Sequence, residues 1–484
     1  MNELDLLSGR RRTLLWLAVT SGLLLAMLDQ TIVGTALPRI VRDLGGESWY
    51  VWGITAYLVP ATVLLPVFAR LSDRYGRQRM LIAAMSLFVL GSALCASAQS
   101  MEQVATFRAV QGTGAAGLEA LSFLLVAELS GPRRNATAQA VLAGIMAFSF
   151  VAGPLIGGLL TDHVGWRWVF LVNVPLGLVA IVVVARTLPP HLGRSQSRDT
   201  PLDLVGILVL TASLGSILVG LNQHLLVPSW FAMRTGGLVA LGLVGVAVLV
   251  RVERHAAAPV LPLRLVSEPR MARLLISGAT ATFGLYACVL LLPRYYQQAQ
   301  GVSATRSGLY IYPLLLGLLI AVHVGAAVIT RRSAVRVTLA LANGCVALGA
   351  LGFTGFASSS PAALPLVLMA VIGAGVGPNL AGLQIAVQRT VSRADLAAAM
   401  GTLLLSRQVG GALALAAAET IYAGRLRAGE SVETATGWAL FLVAGTGAAI
   451  AATALLSLRR GSDQLGSPAT PERPLEATVE VAPS

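Results

Sequence analysis

Leu28-Asp29-Gln30-Thr31 lies inside the first long apolar run of the chain, with apolar residues before it and Ile32-Val33 close behind. A carboxylate in hydrocarbon is costly. An acid in such a run therefore faces a polar cavity, pairs with a cation or holds a proton. All three arrangements point toward solute movement across a membrane, provided that the run itself crosses one.

Composition says that it does. The chain has 484 residues, 56% hydrophobic and only 12% charged, with a mean hydropathy of +0.76. An ordinary soluble domain is about 25% charged. Apolar runs of about 20 residues, long enough to cross a bilayer as a helix, recur almost end to end. Fourteen lie near 13–36, 51–69, 80–98, 104–128, 138–160, 168–187, 204–221, 232–250, 272–293, 308–329, 337–357, 363–387, 397–423 and 435–457. Helices satisfy their own backbone hydrogen bonds, which lipid cannot do. Short segments of alternating polarity, the mark of a membrane barrel, are absent. The expected fold is an all-α polytopic membrane protein with 14 transmembrane helices. Connections are short except 252–271, which carries Pro259, Pro262 and Pro269 and reads as a cytoplasmic segment; the stretch from Gly461, rich in proline, reads as disordered. No room remains for a soluble catalytic domain.

The net charge is +13, and all 35 basic residues are arginine. They lie in short loops rather than on one aromatic-studded face, which argues against nucleic acid. With the N-terminus inside, 25 of them fall on the inner side, including Arg70, Arg74, Arg77, Arg79, Arg133 and Arg134. Eight fall outside (Arg39, Arg42, Arg167, Arg234, Arg294, Arg306, Arg425 and Arg427), and Arg108 and Arg407 lie within spans. This asymmetry follows the positive-inside rule and calls for an even number of spans, with both termini cytoplasmic. Arg10-Arg11-Arg12 precedes a run that is long, carries Asp29 and has no evident small-residue cleavage site, so a retained first helix is expected over an export signal. Cys95, Cys288 and Cys345 sit in apolar runs without pairing or metal spacing. The five histidines are scattered, no two at ligand spacing, and no phosphate-binding G-x-x-x-x-G-K-[ST] occurs. Neither metal, cofactor nor enzymatic activity is expected.

The loop after the second run reads Ala69-Arg70-Leu71-Ser72-Asp73-Arg74-Tyr75-Gly76-Arg77-Gln78-Arg79. Gly76 allows a tight turn, and Asp73 among arginines can latch helix ends by charge-assisted hydrogen bonds. This order resembles the signature loop of the major facilitator superfamily, G-x-L-x-D-R-x-G-R-R/K, with Ala69 in place of its leading glycine. Asp29-Gln30-Thr31-Ile32-Val33-Gly34-Thr35-Ala36-Leu37-Pro38 resembles the first-helix motif of the fourteen-helix drug:proton antiporters. Arg108-Ala109-Val110-Gln111-Gly112-Thr113-Gly114 is similar to the superfamily's R-x-x-Q-G-x-G. Ser149 through Gly158, with Gly153, Pro154, Gly157 and Gly158, resembles the exporter motif g-x-x-x-G-P-x-x-G-G, with Ser149 at its first glycine. Trp166-Arg167-Trp168-Val169-Phe170, running on to Asn173-Val174-Pro175, resembles the same fourteen-helix branch. Later helices match more loosely, through Tyr295-Tyr296-Gln297-Gln298 and Arg407-Gln408-Val409-Gly410-Gly411. The resemblance implies two six-helix bundles, with two helices inserted between them. On that reading residues 1–12 are a cytoplasmic tail and 13–187 the first bundle. Residues 188–250 are a linker with the inserted pair, 251–271 a cytoplasmic loop, 272–457 the second bundle and 458–484 a tail.

Helical rise puts Asp29 about 24 Å along the first span and Arg108 about 6 Å below the outer surface on the fourth. Both fall in the outer half, where they can pair directly or through water. Arg108 would then hold Asp29 ionised, and loss of the pairing would invite a proton. A fixed structural salt bridge is the alternative. Glu119 follows Arg108 by about three turns on the same face and is read as a second proton site or a counter-charge for a cationic solute, with an acid hydrogen-bonded between helices as the alternative. Gln30, Gln111, His323, Gln384, Arg407 and Gln408 are candidate cavity residues. Asp73, Arg74, Gly76, Arg77 and Glu128 are candidates for an inner latch, Glu128 facing Arg74, Arg77 or Arg133, and Glu419 near an outer helix end can touch water. Small residues at Gly144, Gly153, Gly157 and Gly158 allow close helix approach. The expected function is proton-coupled transport of amphipathic or cationic drugs or antibiotics by alternating access, in a bacterial inner membrane, and the resemblance alone implies that the direction is export. An endogenous lipid, amino acid or self-made metabolite is the alternative cargo. The partners are the small solute, protons and the bilayer, and the chain is expected to act as a monomer.

Overall fold

A computed structural model describes residues 9–130, 135–190, 204–226, 233–255, 263–332, 334–355, 363–391 and 395–458. Among the described residues every regular element is a helix. In chain order they are α1 (Gly9–Leu44), α2 (Trp52–Val63), α3 (Leu65–Tyr75), α4 (Arg77–Ser97), α5 (Met101–Ser130), α6 (Asn135–His163), α7 (Arg167–Leu171), α8 (Asn173–Thr187) and α9 (Leu204–Leu226). There follow α10 (Leu238–Glu253), α11 (Leu263–Val266), α12 (Pro269–Thr280), α13 (Phe283–Gln298), α14 (Ala304–Tyr310), α15 (Tyr312–Arg332), α16 (Val335–Gly352), α17 (Ala363–Thr390), α18 (Leu396–Arg427) and α19 (Val432–Leu456). Eleven described stretches are long and apolar enough to cross a bilayer. A twelfth is the pair α2 and α3, bent by 43° at Leu64. The helices α6 and α9 occupy the positions of the fifth and seventh apolar runs. Residues 1–8, 256–262 and 459–484 and the latch candidate Arg133 lie outside the described residues, as does the side chain of Glu128.

Helices α1 to α8 pack on one another, and so do α12 to α19. The helix α9 lies against α2 from the first group and α18 from the second, and α10 packs on its outer side. Only 17% of the apolar window of α10 is buried, so most of its surface is left for lipid. The central helices behave oppositely: 72% of the α5 window and 72% of the α12–α13 window are buried.

Several boundaries differ from the sequence expectation, because helices run on past the apolar stretch into polar residues. The first helix continues through Pro38 to Leu44, so Arg39 and Arg42 lie on its last turns, with Arg39 Nε 3.2 Å from Asp43. The loop around Asp73 is largely helical: α3 reaches Tyr75, and Gly76, at φ +90°, is the single residue turning the chain into α4. Arg294, expected in an outer loop, lies inside α13 and is 4% exposed.

Glycines set the closest helix crossings. A Cβ on Gly112 would meet the Tyr57 carbonyl oxygen at 2.2 Å, and one on Gly114 would meet Phe88 N at 2.3 Å. Backbone atoms cannot swing aside, so α5 touches α2 and α4 only because these positions lack side chains.

Candidate functional site

Asp29 is 1% exposed and sits in a closed polar cage. Arg108 Nη1 donates to its Oδ2 in an ion pair with both side chains almost fully buried. Gln111 Nε2 donates to Oδ1 at 2.8 Å, and Asn173 Nδ2 donates to the same oxygen at 3.1 Å. Arg108 also donates to the Gly53 carbonyl (3.2 Å) and to Gln111 Oε1 (2.9 Å). Its guanidinium stacks 4.2 Å above the Tyr57 ring, whose hydroxyl donates to the Ala26 carbonyl at 3.0 Å. Ser92 Oγ accepts from Gln111 Nε2 at 2.7 Å and from Asn173 Nδ2 at 3.3 Å. Five helices of the first bundle thus converge on one carboxylate: α1, α2, α4, α5 and α8. The low dielectric of such a site makes each charge-assisted bond strong and any unpaired member costly.

The pairing of Asp29 with Arg108 is direct. Gln111, expected to line a cavity, instead belongs to this cage and is 0% exposed; R-x-x-Q spacing puts both on one face of α5. Sequence reading named Asn173 only as part of a motif and missed Ser92 and Tyr57. Their signal, lone polar residues in apolar runs, is shared by many packed residues.

A second polar contact crosses between the bundles. Glu119 Oε2 accepts from Gln408 Nε2 at 3.3 Å, and Tyr286 Oη donates to Gln408 Oε1 at 3.4 Å. Both Glu119 and Gln408 are buried. Arg407 is buried too, its Nη2 donating to the Asn379 (3.1 Å) and Leu380 (2.7 Å) carbonyls of α17. Gln30 is half-buried with Nε2 unpartnered, and Gln384 is half-buried without a hydrogen bond among the described residues. His323 does not face this region. It lies on the exposed apolar face of α15 with Leu316, Ile320 and Val324, its Nδ1 2.9 Å from the Leu319 carbonyl oxygen. Sequence spacing could not tell the two faces of that helix apart, because both are apolar.

The bundles meet most closely at the end where α1 terminates. Asp162 of α6 accepts from the backbone amides of Ala304 (3.2 Å) and Thr305 (2.8 Å) and from the Thr305 hydroxyl (2.5 Å). Beside it a Cβ on Gly158 would lie 2.5 Å from Thr305 Cα, and one on Gly308 would lie 2.4 Å from the Pro154 carbonyl oxygen. Gly153 and Gly157 face α1 instead, against Thr31 and Thr35. The motif residues therefore split: Gly153 and Gly157 seat α6 within its own bundle, and Pro154 and Gly158 seat it against the other. Gln297 Nε2 donates to the Thr35 carbonyl at 2.9 Å. Arg294 binds Glu419 (2.9 Å) within its bundle and Glu47 (2.7 Å) across the seam, between the rings of Tyr50 and Tyr422 at 4.5 and 4.6 Å. Glu419 is 7% exposed, so it meets a cation rather than water. At the opposite end Asp73 and Arg74 are exposed, Arg77 is buried, and Gln78 Nε2 donates to the carbonyls of Ala185 in α8 (3.0 Å) and of Leu188 just past its end (2.7 Å).

The sequence profile described as the Major Facilitator Superfamily matches residues 19–415. The chain belongs to the Major Facilitator Superfamily. An uncharacterised transporter of this superfamily from Mycobacterium tuberculosis H37Rv is 33% identical over 405 residues, 84% of this chain and 58% of the relative. The chain thus spans little more than half of that relative. A multidrug transporter protein of Bacillus subtilis is 30% identical over 405 residues, covering 83% of this chain and 73% of its own length. A multidrug resistance protein B homologue of M. tuberculosis is 30% identical over 437 residues, 87% and 78% of the two chains. Among solved structures, a bacterial homologue of the human lysosomal transporter Spinster superposes with a TM-score of 0.61 at 15% identity, covering 95% and 98%. A D-xylose–proton symporter gives 0.64 at 12% identity, covering 91% and 97%. These likenesses carry the major facilitator fold. The chain is a multi-pass helical membrane protein of this superfamily, with relatives named for multidrug efflux.

Proposed function

We propose that this transporter exports amphipathic, cationic drugs or antibiotics in exchange for protons by alternating access, in a bacterial inner membrane with both termini cytoplasmic. One observation carries the reading: α1 holds both the caged acid and the seam between bundles. From Asp29 to Thr35 is about 9 Å along the helix. Thr31 donates to the Ser149 carbonyl of α6 (3.0 Å), Gly34 faces Val289 of the second bundle, and the Thr35 carbonyl accepts from Gln297.

A proton on Asp29 cancels the charge that holds Arg108. Breaking a buried pair by removing one partner costs about 3–5 kcal/mol, so the cage cannot keep its geometry unchanged. Because α1 is continuous, a shift at Asp29 is delivered to the seam. On the arginine-derived orientation the closed seam faces outward. Glu119, joined to Gln408 of the other bundle, supplies a carboxylate between the halves that a cationic solute can take over from the amide.

The test is purified protein in liposomes under an imposed pH gradient with a panel of cationic dyes. Gradient-driven dye movement is expected, and Asp29→Asn, inserted to the same level, is expected to abolish it. Turnover indifferent to the gradient, or unimpaired in Asp29→Asn, refutes the proposal.

A further inference from the structure

The cage contains only donors to Asp29. Arg108 Nη1, Gln111 Nε2 and Asn173 Nδ2 all point hydrogens at the carboxylate. This suits the ionised form. A protonated carboxyl is itself a donor, and a buried O–H without an acceptor is costly. If Asp29 takes up a proton, something in the cage must become an acceptor.

The two amides are not equally free to do so. Gln111 Oε1 accepts from Arg108 Nη1 at 2.9 Å, so turning that amide would set its NH2 against the guanidinium. Asn173 Oδ1 accepts no hydrogen bond among the described residues, while its Nδ2 serves both Asp29 Oδ1 (3.1 Å) and Ser92 Oγ (3.3 Å). Ser92 Oγ accepts from both amides and donates to no member of the cage. A hydroxyl is donor and acceptor alike, and its hydrogen rotates to suit.

We propose that Asn173 and Ser92 form a neutral amide–hydroxyl switch that turns over when Asp29 changes its protonation state. With Asp29 ionised, Asn173 Nδ2 donates to Asp29 and to Ser92. When a proton arrives on Asp29 Oδ1, the Asn173 amide turns by half a rotation about its last side-chain bond. Its Oδ1 then occupies the place of Nδ2 and accepts the new O–H of Asp29 and the O–H of Ser92. Ser92 Oγ still accepts from Gln111. The proton stays on Asp29, no other group changes protonation, and Asn173 makes two hydrogen bonds before and after. The new O–H of Asp29 thus gains an acceptor, while the turned Nδ2 takes the side where Oδ1, though unpartnered, is not among the fully enclosed atoms, and Asn173 acts as a positioning residue. This inference rests on Asp29 being the coupling acid.

The titratable groups facing Asp29 are Arg108 of α5, Tyr57 of α2, stacked on Arg108, and Cys95 of α4, whose Sγ lies 3.9 Å from Gln111 Oε1. The other elements on α1 bring Ser149 (α6), Asn173 (α8), Val289 and Gln297 (α13) and Phe170 (α7), none of which titrates.

The experiment measures the pH profile of gradient-driven dye exchange in proteoliposomes for wild type, Asn173→Leu and Ser92→Ala. A switch serves both forms of Asp29, so either variant should lower the maximum about tenfold, the loss of one hydrogen-bond partner, and move the midpoint little. Pairing Asn173→Leu with infrared pH-difference spectra supplies the second readout. A side-chain amide carbonyl band should shift together with the Asp29 carboxyl band in wild type and vanish in Asn173→Leu. Ser92→Ala removes a single oxygen and keeps the test open if Asn173→Leu fails to insert. A profile displaced along the pH axis with its maximum intact assigns Asn173 a static donor role and overturns the switch, as does a wild-type profile. The coupling reading fails separately, through an Asp29→Asn protein that exchanges normally.

Discussion

Gly158 provides a sharp test of how the two bundles close on one another. In Gly158→Ala the new Cβ falls 2.5 Å from Thr305 Cα and 2.8 Å from the Ala304 carbonyl oxygen and the Thr305 amide nitrogen. Carbon atoms prefer about 3.5–4.0 Å, so the overlap is about 1 Å, and every atom it meets is backbone. No rotamer change relieves it. Overpacking of this kind costs about 1–3 kcal/mol. The cost arises only while α6 and α14 touch, which makes it a bias against the closed seam of about 5- to 150-fold. Alanine is otherwise a better helix former than glycine by about 1 kcal/mol, so the control Gly144→Ala, with nothing within 4 Å on the same helix, should leave the seam closed. Gly157→Ala behaves differently again. Its Cβ meets Thr35 Oγ1 at 2.4 Å and the Ile32 carbonyl oxygen at 2.6 Å inside the first bundle, so it should lower the yield of folded protein instead. Spin labels at Val164 and Arg306, in a background with Cys95, Cys288 and Cys345 replaced by alanine, report the separation by double electron–electron resonance. Wild type and Gly144→Ala should give the short distance, and Gly158→Ala a population shifted to longer ones. An unchanged distribution in Gly158→Ala refutes the claim that backbone contact closes this end.

Two further expectations concern the same seam. Asp162 lies beyond the apolar run 138–160. Burial pushes its carboxyl up, but hydrogen bonds from the Thr305 hydroxyl and amide, the Ser303 hydroxyl and the Ala304 amide outweigh this and hold it below its ordinary value. A value depressed in the latched state means that the latch acts fully above the ordinary value of a free aspartate and fades as pH falls through the lower latched one. The Val164–Arg306 distance should therefore not respond to Asp162 between about pH 5 and 8, while Asp162→Ala lengthens it throughout; a near-neutral opening transition that Asp162→Ala removes would contradict this. Arg294→Met strands Glu419 in a buried site and should cost about 3–5 kcal/mol, read as a lower melting temperature in detergent that Glu419→Gln largely restores. Glu47→Gln should cost under about 1 kcal/mol, because the Glu47 side chain is 64% exposed; equal losses from Arg294→Met and Glu47→Gln would argue against the buried arm as the stronger one.

The legibility of the site follows what each residue needs. Asp29 and Arg108 were readable because a charge in an apolar run must be answered by something, and helical rise put both at similar depth. Gln111 was read as a cavity residue because a neutral amide in a membrane helix suits a lining as well as a cage. Arg294 was placed in a loop because it follows an apolar run, yet Glu419, Glu47 and two tyrosine rings let α13 carry it inward. Asp162 is not legible in the sequence: two of its partners are backbone amides, which no sequence pattern advertises.

By itself the sequence determined the class of solvent this chain lives in, the helical form of its segments and the presence of a buried acid–base pair, since hydrophobic run length and the cost of an unanswered charge are local quantities. Only the tertiary structure decided which helix faces meet. Asn173 and Ser92 join Asp29 from helices far apart in the chain, and Gly158 meets α14 while its neighbour Gly157 meets α1. Those choices depend on how helix surfaces fit together in three dimensions, and in an apolar helix every face looks alike to a one-dimensional reading.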